Sequence, residues 1–314
     1  MVPEAEFTSY YGRQIVKPSP WEADIPAYLF SGGLAAGSSL LAAGADLTGR
    51  PTLRRSGRLG ALAALTFSMV ALVHDLGRPS RFLNMLRTAK LTSPMSVGTW
   101  ILSGYGPFAA TAAVAELVDM LPVDTTRGPL RLLSLVGGPA GLVAAAGAPP
   151  VAAYTAVLLA DTATPSWHAA YRELPFVFVG SAAAASGGLG MITSPVAQAG
   201  PARRMALGGA LLELLAEHRM EDSMGITAEP LHQGKAGGLM KASKALTTAG
   251  AVGSLLAGRS RTAAVLSGVA LMTGSVCTRF GVFEAGQASA RDPRYTVIPQ
   301  RQRIDRGEPI RSDG

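Results

Sequence analysis

The sequence predicts an all-α integral membrane protein, an eight-transmembrane-helix bundle with both termini on the same side. Three observations carry that expectation. Hydrophobic residues make up 48% of the 314-residue chain and charged residues only 16%, against roughly 25% charged in a soluble domain. The charges collect in short patches. The runs between them carry none, and the longer ones reach the roughly 18 residues a helix needs to cross a hydrocarbon core about 30 Å thick. A soluble protein of this size can hide one such run as a core helix, but not five or six. Backbone groups in lipid must be satisfied within their own segment, so each run is expected as a helix. Mean hydropathy is a modest +0.27 because Ala and Gly fill the runs, and small residues suit close helix packing in a membrane.

Residues 1–25 read as a polar extramembrane arm. They carry Glu4, Glu6, Arg13, Lys17, Glu22 and Asp24 with no apolar stretch among them, so the first span is expected to be retained rather than cleaved. The membrane domain is expected over 26–284. Span one covers Pro26–Ala45. A turn with Arg50, Arg54, Arg55 and Arg58 leads to span two, Leu59–Val73, which ends on His74-Asp75-Leu76-Gly77-Arg78-Pro79. A connector of about 20 residues precedes span three, Val97–Leu117, with Trp100 and Tyr105 inside it. Leu132–Ala160 is longer than one span requires and holds Pro149-Pro150; halves split there would be too short to cross, so one kinked helix is expected. Span five is Leu174–Val196. Span six, Ala206–Ala216, is short and contains Glu213. Spans seven and eight are Leu239–Ala257 and Thr262–Val282, and 285–314 reads as a basic extramembrane tail.

Several chemistries are excluded. The four histidines, His74, His168, His218 and His232, fall at expected helix ends or in loops, not as the inward-facing pair that a transmembrane haem uses. No Cys/His cluster has ligand spacing, so no metal site is expected. No glycine-rich P-loop is present. The lone Cys277 forms no disulfide framework and cannot by itself hold an iron–sulfur cluster. The net charge of +7 is spread over many loops, which fits lipid headgroups rather than nucleic acid. Loops on the side of the termini hold 15 of the 28 Lys and Arg and the opposite loops 10, which by the positive-inside rule puts the termini in the cytoplasm.

Polar groups at membrane depth are costly and therefore mark candidate functional sites. His74 and Asp75 close span two, with Arg78 and Arg81 near enough in sequence to hold Asp75 ionised; the alternative is an Asp that merely caps the connector and pairs with Arg78. Glu22, Asp24 and Tyr28 flank the start of span one on the same side, the two acids also fitting a solvated helix start. Tyr154 follows the proline pair in an apolar helix, either as a ligand-facing group or as a packed tyrosine bonded to backbone. Glu213 and Glu217 share a helix face and form either a proton relay or the point where span six leaves the membrane. Glu284 reads as an ion-pair partner of Arg279.

The stretch His74-Asp-Leu-Gly-Arg-Pro-Ser-Arg-Phe-Leu-Asn-Met-Leu-Arg87, with Thr92-Ser-Pro-Met-Ser96 and Trp100 after it, resembles the signature of the polysulfide reductase membrane-subunit (NrfD/PsrC) family. Three more segments agree in order: Tyr28-Leu-Phe-Ser-Gly-Gly-Leu-Ala-Ala-Gly37, Tyr154-Thr-Ala-Val-Leu-Leu159 leading to Pro165-Ser-Trp167, and Phe283 to Pro293. The resemblance implies a haem-free, eight-helix subunit of a bacterial cytoplasmic (plasma) membrane complex. Such a subunit anchors a four-cluster, ferredoxin-like iron–sulfur protein, which in turn binds a molybdopterin catalytic subunit. It also implies exchange of electrons with a menaquinone or ubiquinone at the face where the partner docks. Tyr154 matches the position of the quinone-site tyrosine, while Tyr28 stands where some members carry His. His74 and Asp75 would complete the site, and Arg78 and Arg81 would suit docking of the partner. The family usually turns this face away from the cytoplasm, contrary to the Lys/Arg distribution. The competing expectation is a proton-translocating module or secondary transporter without a redox role, suggested by the proline-broken helix and the intramembrane acids.

Overall fold

Uncharged, Ala- and Gly-rich runs form helices, and prolines and short polar turns bound them. The structure, a computed structural model, describes residues 13–78, 80, 84–122 and 128–307. Among these the order is α1 (Asp24–Leu47), α2 (Pro51–Asp75), α3 (Pro94–Met120), α4 (Gly128–Ala160), the short α5 (Pro165–Ala169), α6 (Leu174–Thr193), α7 (Gly200–Met224), a 3-10 turn (Gly225–Leu231), α8 (Gly234–Leu256), α9 (Arg261–Arg291) and α10 (Arg294–Asp305). Proline opens α2, α3, α6 and α7 within the first two positions, where its missing N–H costs nothing and its fixed φ suits the helix. Ser93 and Ser260 cap α3 and α9 by accepting from the amides of Ser96 and Ala263, an N-cap bond that satisfies one orphan donor. α4 runs as one helix through Pro139, Pro149 and Pro150.

Consecutive helices pack as hairpins, α1 on α2, α3 on α4, α6 on α7 and α8 on α9. The first four and the last four are joined mainly through α1, α4, α6 and α9. Small residues allow close crossings. A Cβ placed on Gly188 of α6 would lie 2.7 Å from the carbonyl oxygen of Gly268 on α9, so only glycine admits this approach. Large apolar side chains such as Phe67, Val70, Leu132, Leu135, Leu215 and Leu255 point outward, as they do where lipid is the solvent. Six helices, α1 to α4, α6 and α9, are long and apolar enough to cross a membrane.

Two expectations change. α7 does not stop at Ala216 but continues to Met224. Its buried positions Glu213, Ala216, Glu217, Met220 and Met224 repeat at helical spacing, with His218 and Arg219 on the outer side. Glu213 and Glu217 are both enclosed in the bundle. Glu284 does not pair with Arg279. It accepts from Lys235 Nζ at 2.5 Å, because five helical residues turn the two side chains about 140° apart and leave Arg279 facing the bundle interior.

Candidate functional site

The bundle has two distinguishable ends. At one, the chain before α1 is bound to α9: the Gln287 amide nitrogen donates to the carbonyls of Ser19 at 3.0 Å and Trp21 at 3.2 Å. Trp21 stacks on Trp167, which packs on Phe283 and donates its indole N–H to the Val282 carbonyl at 2.8 Å. Gly286 makes room for Trp167, since a Cβ there would overlap the indole. These contacts hold the start of α1 in place.

Against that frame α1, α2, α3 and α4 converge on a cavity of about 40 Å³. It is lined by Trp21, Ile25, Tyr28, Leu72, Asp75, Leu76, Met85, Met95, Gly98, Thr99, Leu102, Tyr154 and Leu158. Three of the residues singled out in the sequence, Tyr28, Asp75 and Tyr154, thus meet although they lie on three different helices. Tyr28 is 3% exposed and Tyr154 8%. Among the described residues neither phenol makes a hydrogen bond, whereas a buried tyrosine hydroxyl ordinarily finds a partner. Tyr105, deep between the same helices, shows the ordinary case. Its hydroxyl is 2.8 Å from Ser39 Oγ and donates to the Ala35 carbonyl at 2.9 Å.

His74 is not in the cavity. Its side chain is 78% exposed, and its Nδ1 lies 2.8 Å from Asp24 Oδ2. Asp75 forms no ion pair with Arg78 among the described residues; the charged groups acting on it are Asp24, Glu22 and His74. Arg78 is exposed at the same end, and Arg81 lies outside the described residues. The cavity has room for one or two waters. That is less space than a ring fills, and two flexible methionines, Met85 and Met95, form part of its wall. A wider, open hollow of about 360 Å³ at this end is lined by Lys235, Glu284, Asp292 and Arg294 among others. Lys235 pairs with Glu284 and Arg294 with Asp292, and Arg291 lines it too, so it reads as a solvated groove.

A second polar group lies between α6, α7, α8 and α9. Arg279 is fully buried; its Nη2 donates to the Phe178 carbonyl at 2.7 Å and its guanidinium carbon sits 3.8 Å from the Phe178 ring centroid. Its Nε and Nη1 have no partner, and neither does Glu213 Oε2. Glu213 Oε1 accepts from Thr278 Oγ1 at 2.6 Å, and Thr278 Oγ1 is 2.6 Å from Ser243 Oγ. One turn along α7, Glu217 is 3.6 Å from Lys244 Nζ. Lys244 donates to Glu221 at 2.8 Å, and Glu221 lies 3.9 Å from the half-exposed His232. These groups follow one another from an enclosed carboxylate toward solvent at the same end of the bundle as the cavity, and neither Glu217 oxygen makes a hydrogen bond.

Sequence reasoning found the two glutamates, assigned Arg279 to Glu284 instead of to this group, and missed Thr278 and Lys244. The signal for Arg279 was available, since it is the single charged residue between Arg261 and Glu284. Gly98 was missed as well, because nothing local distinguishes it from its neighbours.

At the opposite end Glu116 is fully buried and takes hydrogen bonds from Arg54, Arg55 and Arg58. Asp46 takes two more, from Arg54 and Arg58. The arginine-rich turn is thus in large part an internal ion cluster joining α1, α2 and α3.

Residues 14–203, more than half of the chain, match the family described as polysulphide reductase, NrfD. The matched stretch holds α1 to α6 and every residue lining the cavity; Glu213, Glu217 and Arg279 lie beyond it. Comparison with curated proteins finds none that matches.

Proposed function

The chain belongs to the polysulphide reductase (NrfD) family, and we propose that it is the membrane-anchor and quinone-reactive subunit of a molybdopterin and iron–sulfur oxidoreductase. In this reading all eight long helices cross a bacterial cytoplasmic membrane with both termini on one side. A partner iron–sulfur subunit of the four-cluster, ferredoxin-like kind docks at the end where Tyr28, Asp75 and Tyr154 meet, with Arg78 and Arg81 among its contacts, and itself carries the molybdopterin subunit. The observation that supports this reading best is the pair of unpartnered phenols with a carboxylate around one cavity. Reduction of a quinone takes two electrons and two protons. The electrons come from the partner's clusters. Tyr28 and Tyr154 orient the ring by hydrogen bonds to its oxygens, and Asp75, at the cavity rim beside His74 and Asp24, hands on protons within hydrogen-bond reach. With Met85 and Met95 swung aside, the apolar lining holds the ring and the start of its tail. Menaquinone and ubiquinone both suit such a lining.

The test is purification in mild detergent followed by assay of quinone-analogue turnover. The expected outcome is an iron–sulfur partner in the preparation and turnover of the analogue. A chain that emerges alone and binds no quinone overturns the reading.

A second reading has its own support. The enclosed series Glu213, Glu217, Lys244 and Glu221 suits a proton relay, with Arg279 setting the charge at its inner end. Alone, it would favour a proton-translocating module or secondary transporter without a redox role. Together with the cavity, it would give the same subunit a route for protons.

A further inference from the structure

At the end of the bundle opposite the cavity, three turns come together: 48–50 between α1 and α2, 194–199 between α6 and α7, and 257–260 between α8 and α9. They and the first residues of the helices after them carry Arg50, Arg203, Arg204, Arg259 and Arg261 and no carboxylate. Arg261 is occupied, since its guanidinium donates to the carbonyls of Met191, Ile192 and Ser194 at the close of α6. The other four have no acidic partner among the described residues. Arg50 Nη1 and Arg203 Nη2 both come within 4.0 Å of the point where a Cβ on Gly200 would sit, and Arg203 packs its guanidinium on Gly258, 3.1 to 3.3 Å from the corresponding point there. Each makes only one long bond, of 3.4 Å, to a carbonyl of the 194–199 turn. The Nε of Arg50 is buried with no partner at all. Cations gathered in this way repel one another unless an anion lies among them. The contrast with the adjoining cluster is plain, because there Arg54, Arg55 and Arg58 have Glu116 and Asp46.

The neighbourhood says which anion. The same helix ends expose Leu47 at the close of α1 and Leu255 and Leu256 at the close of α8. An exposed apolar side chain within a turn of an unpaired arginine, at the end of a membrane helix, is the arrangement that meets a headgroup and the first methylenes of its acyl chains together. We propose that this arginine face binds the phosphate of an anionic phospholipid. Its headgroup bridges Arg50 with Arg203, with Arg204 and Arg259 beside it, and its chains lie along the exposed leucines. The lipid then ties the α1–α2 hairpin to the α6–α7 and α8–α9 hairpins.

The experiment is lipid retention by native mass spectrometry. Purified, delipidated protein is exposed to equimolar phosphatidylglycerol and phosphatidylcholine, and thermal unfolding in detergent is followed with each lipid and with inorganic phosphate. The expected result is a preference for phosphatidylglycerol of about tenfold or more. It should be lost in the double variant Arg50→Gln/Arg203→Gln and kept in Arg172→Gln, a control at the opposite end. Thermal stabilisation should follow phosphatidylglycerol and not phosphate. Equal retention of the two lipids overturns the proposal, as does stabilisation by phosphate alone, which would mark a site for a free anion. If the double variant does not fold, the wild-type competition still decides.

Discussion

The Tyr154 ring rests on Gly98: a Cβ on that glycine would lie 2.3 Å from the tyrosine's Cε2 and 2.6 Å from its Cδ2. The aromatic group takes its place beside the cavity because α3 offers bare backbone at this level. The substitution Gly98→Ala should therefore push the ring out of its seat. Overpacking of this kind costs about 1–3 kcal/mol. Thermal unfolding should show that loss, and quinone-analogue turnover should fall in protein that is still assembled. Unchanged KM and kcat in a folded variant would remove the ring from the site.

Tyr154→Phe and Asp75→Asn should each lower quinone-analogue turnover on the order of a hundredfold, with co-purification of the partner subunit retained. Tyr105→Phe is the matched control. It deletes the bonds to Ser39 and Ala35, so it should cost about 1 kcal/mol of stability and leave turnover as it was. Wild-type turnover in both cavity variants would count against the quinone reading.

Glu116→Gln should be among the most damaging single changes. It leaves Arg54, Arg55 and Arg58 facing a neutral amide in a place where the carboxylate was fully buried. Removing one partner from a buried ion cluster costs about 3–5 kcal/mol. Unfolding midpoints in detergent measure the loss, and the turnover of whatever remains folded should be near normal.

Glu213→Gln keeps the shape of the side chain and its bond from Thr278 but removes a proton carrier. In proteoliposomes the expected outcome is a reduced pH change per quinone turned over, with quinone binding intact. Lys244→Gln, nearer the surface, should give a milder version. A full pH signal in both variants would reduce the buried series to a packing feature.

The helices were largely legible in the sequence because lipid leaves a chain few alternatives. Uncharged length sets them, and the unbroken α4 followed from the simple argument that half of it cannot span. α7 was read too short because a window that stops at charge cannot see that Glu213 and Glu217 point inward while His218 and Arg219 point outward. Of the site, Tyr28, Asp75 and Tyr154 were found as polar groups in apolar surroundings. Their meeting at one cavity depends on how three helices cross, which no local pattern encodes. His74 looked equivalent to Asp75 in sequence, but adjacent positions on a helix differ by about 100°, enough to turn one to solvent and the other to the cavity. The role of Gly98 depends on a side chain 56 residues away in the chain.

The polar inner face of α7 bears on how the protein is made. With Glu213, Glu217 and the charges near its ends, α7 lacks the apolar stretch found in six of its fellows, and alone it would partition poorly out of the insertion machinery. Its acids become tolerable only against Thr278, Ser243 and Lys244, which reach the ribosome exit later on α8 and α9. On the eight-span reading, α7 must wait at the translocon, paired with α6, until the last hairpin emerges. Truncation before α9 should then leave a chain that cannot complete its insertion and is cleared by membrane proteases, however apolar its first 193 residues are.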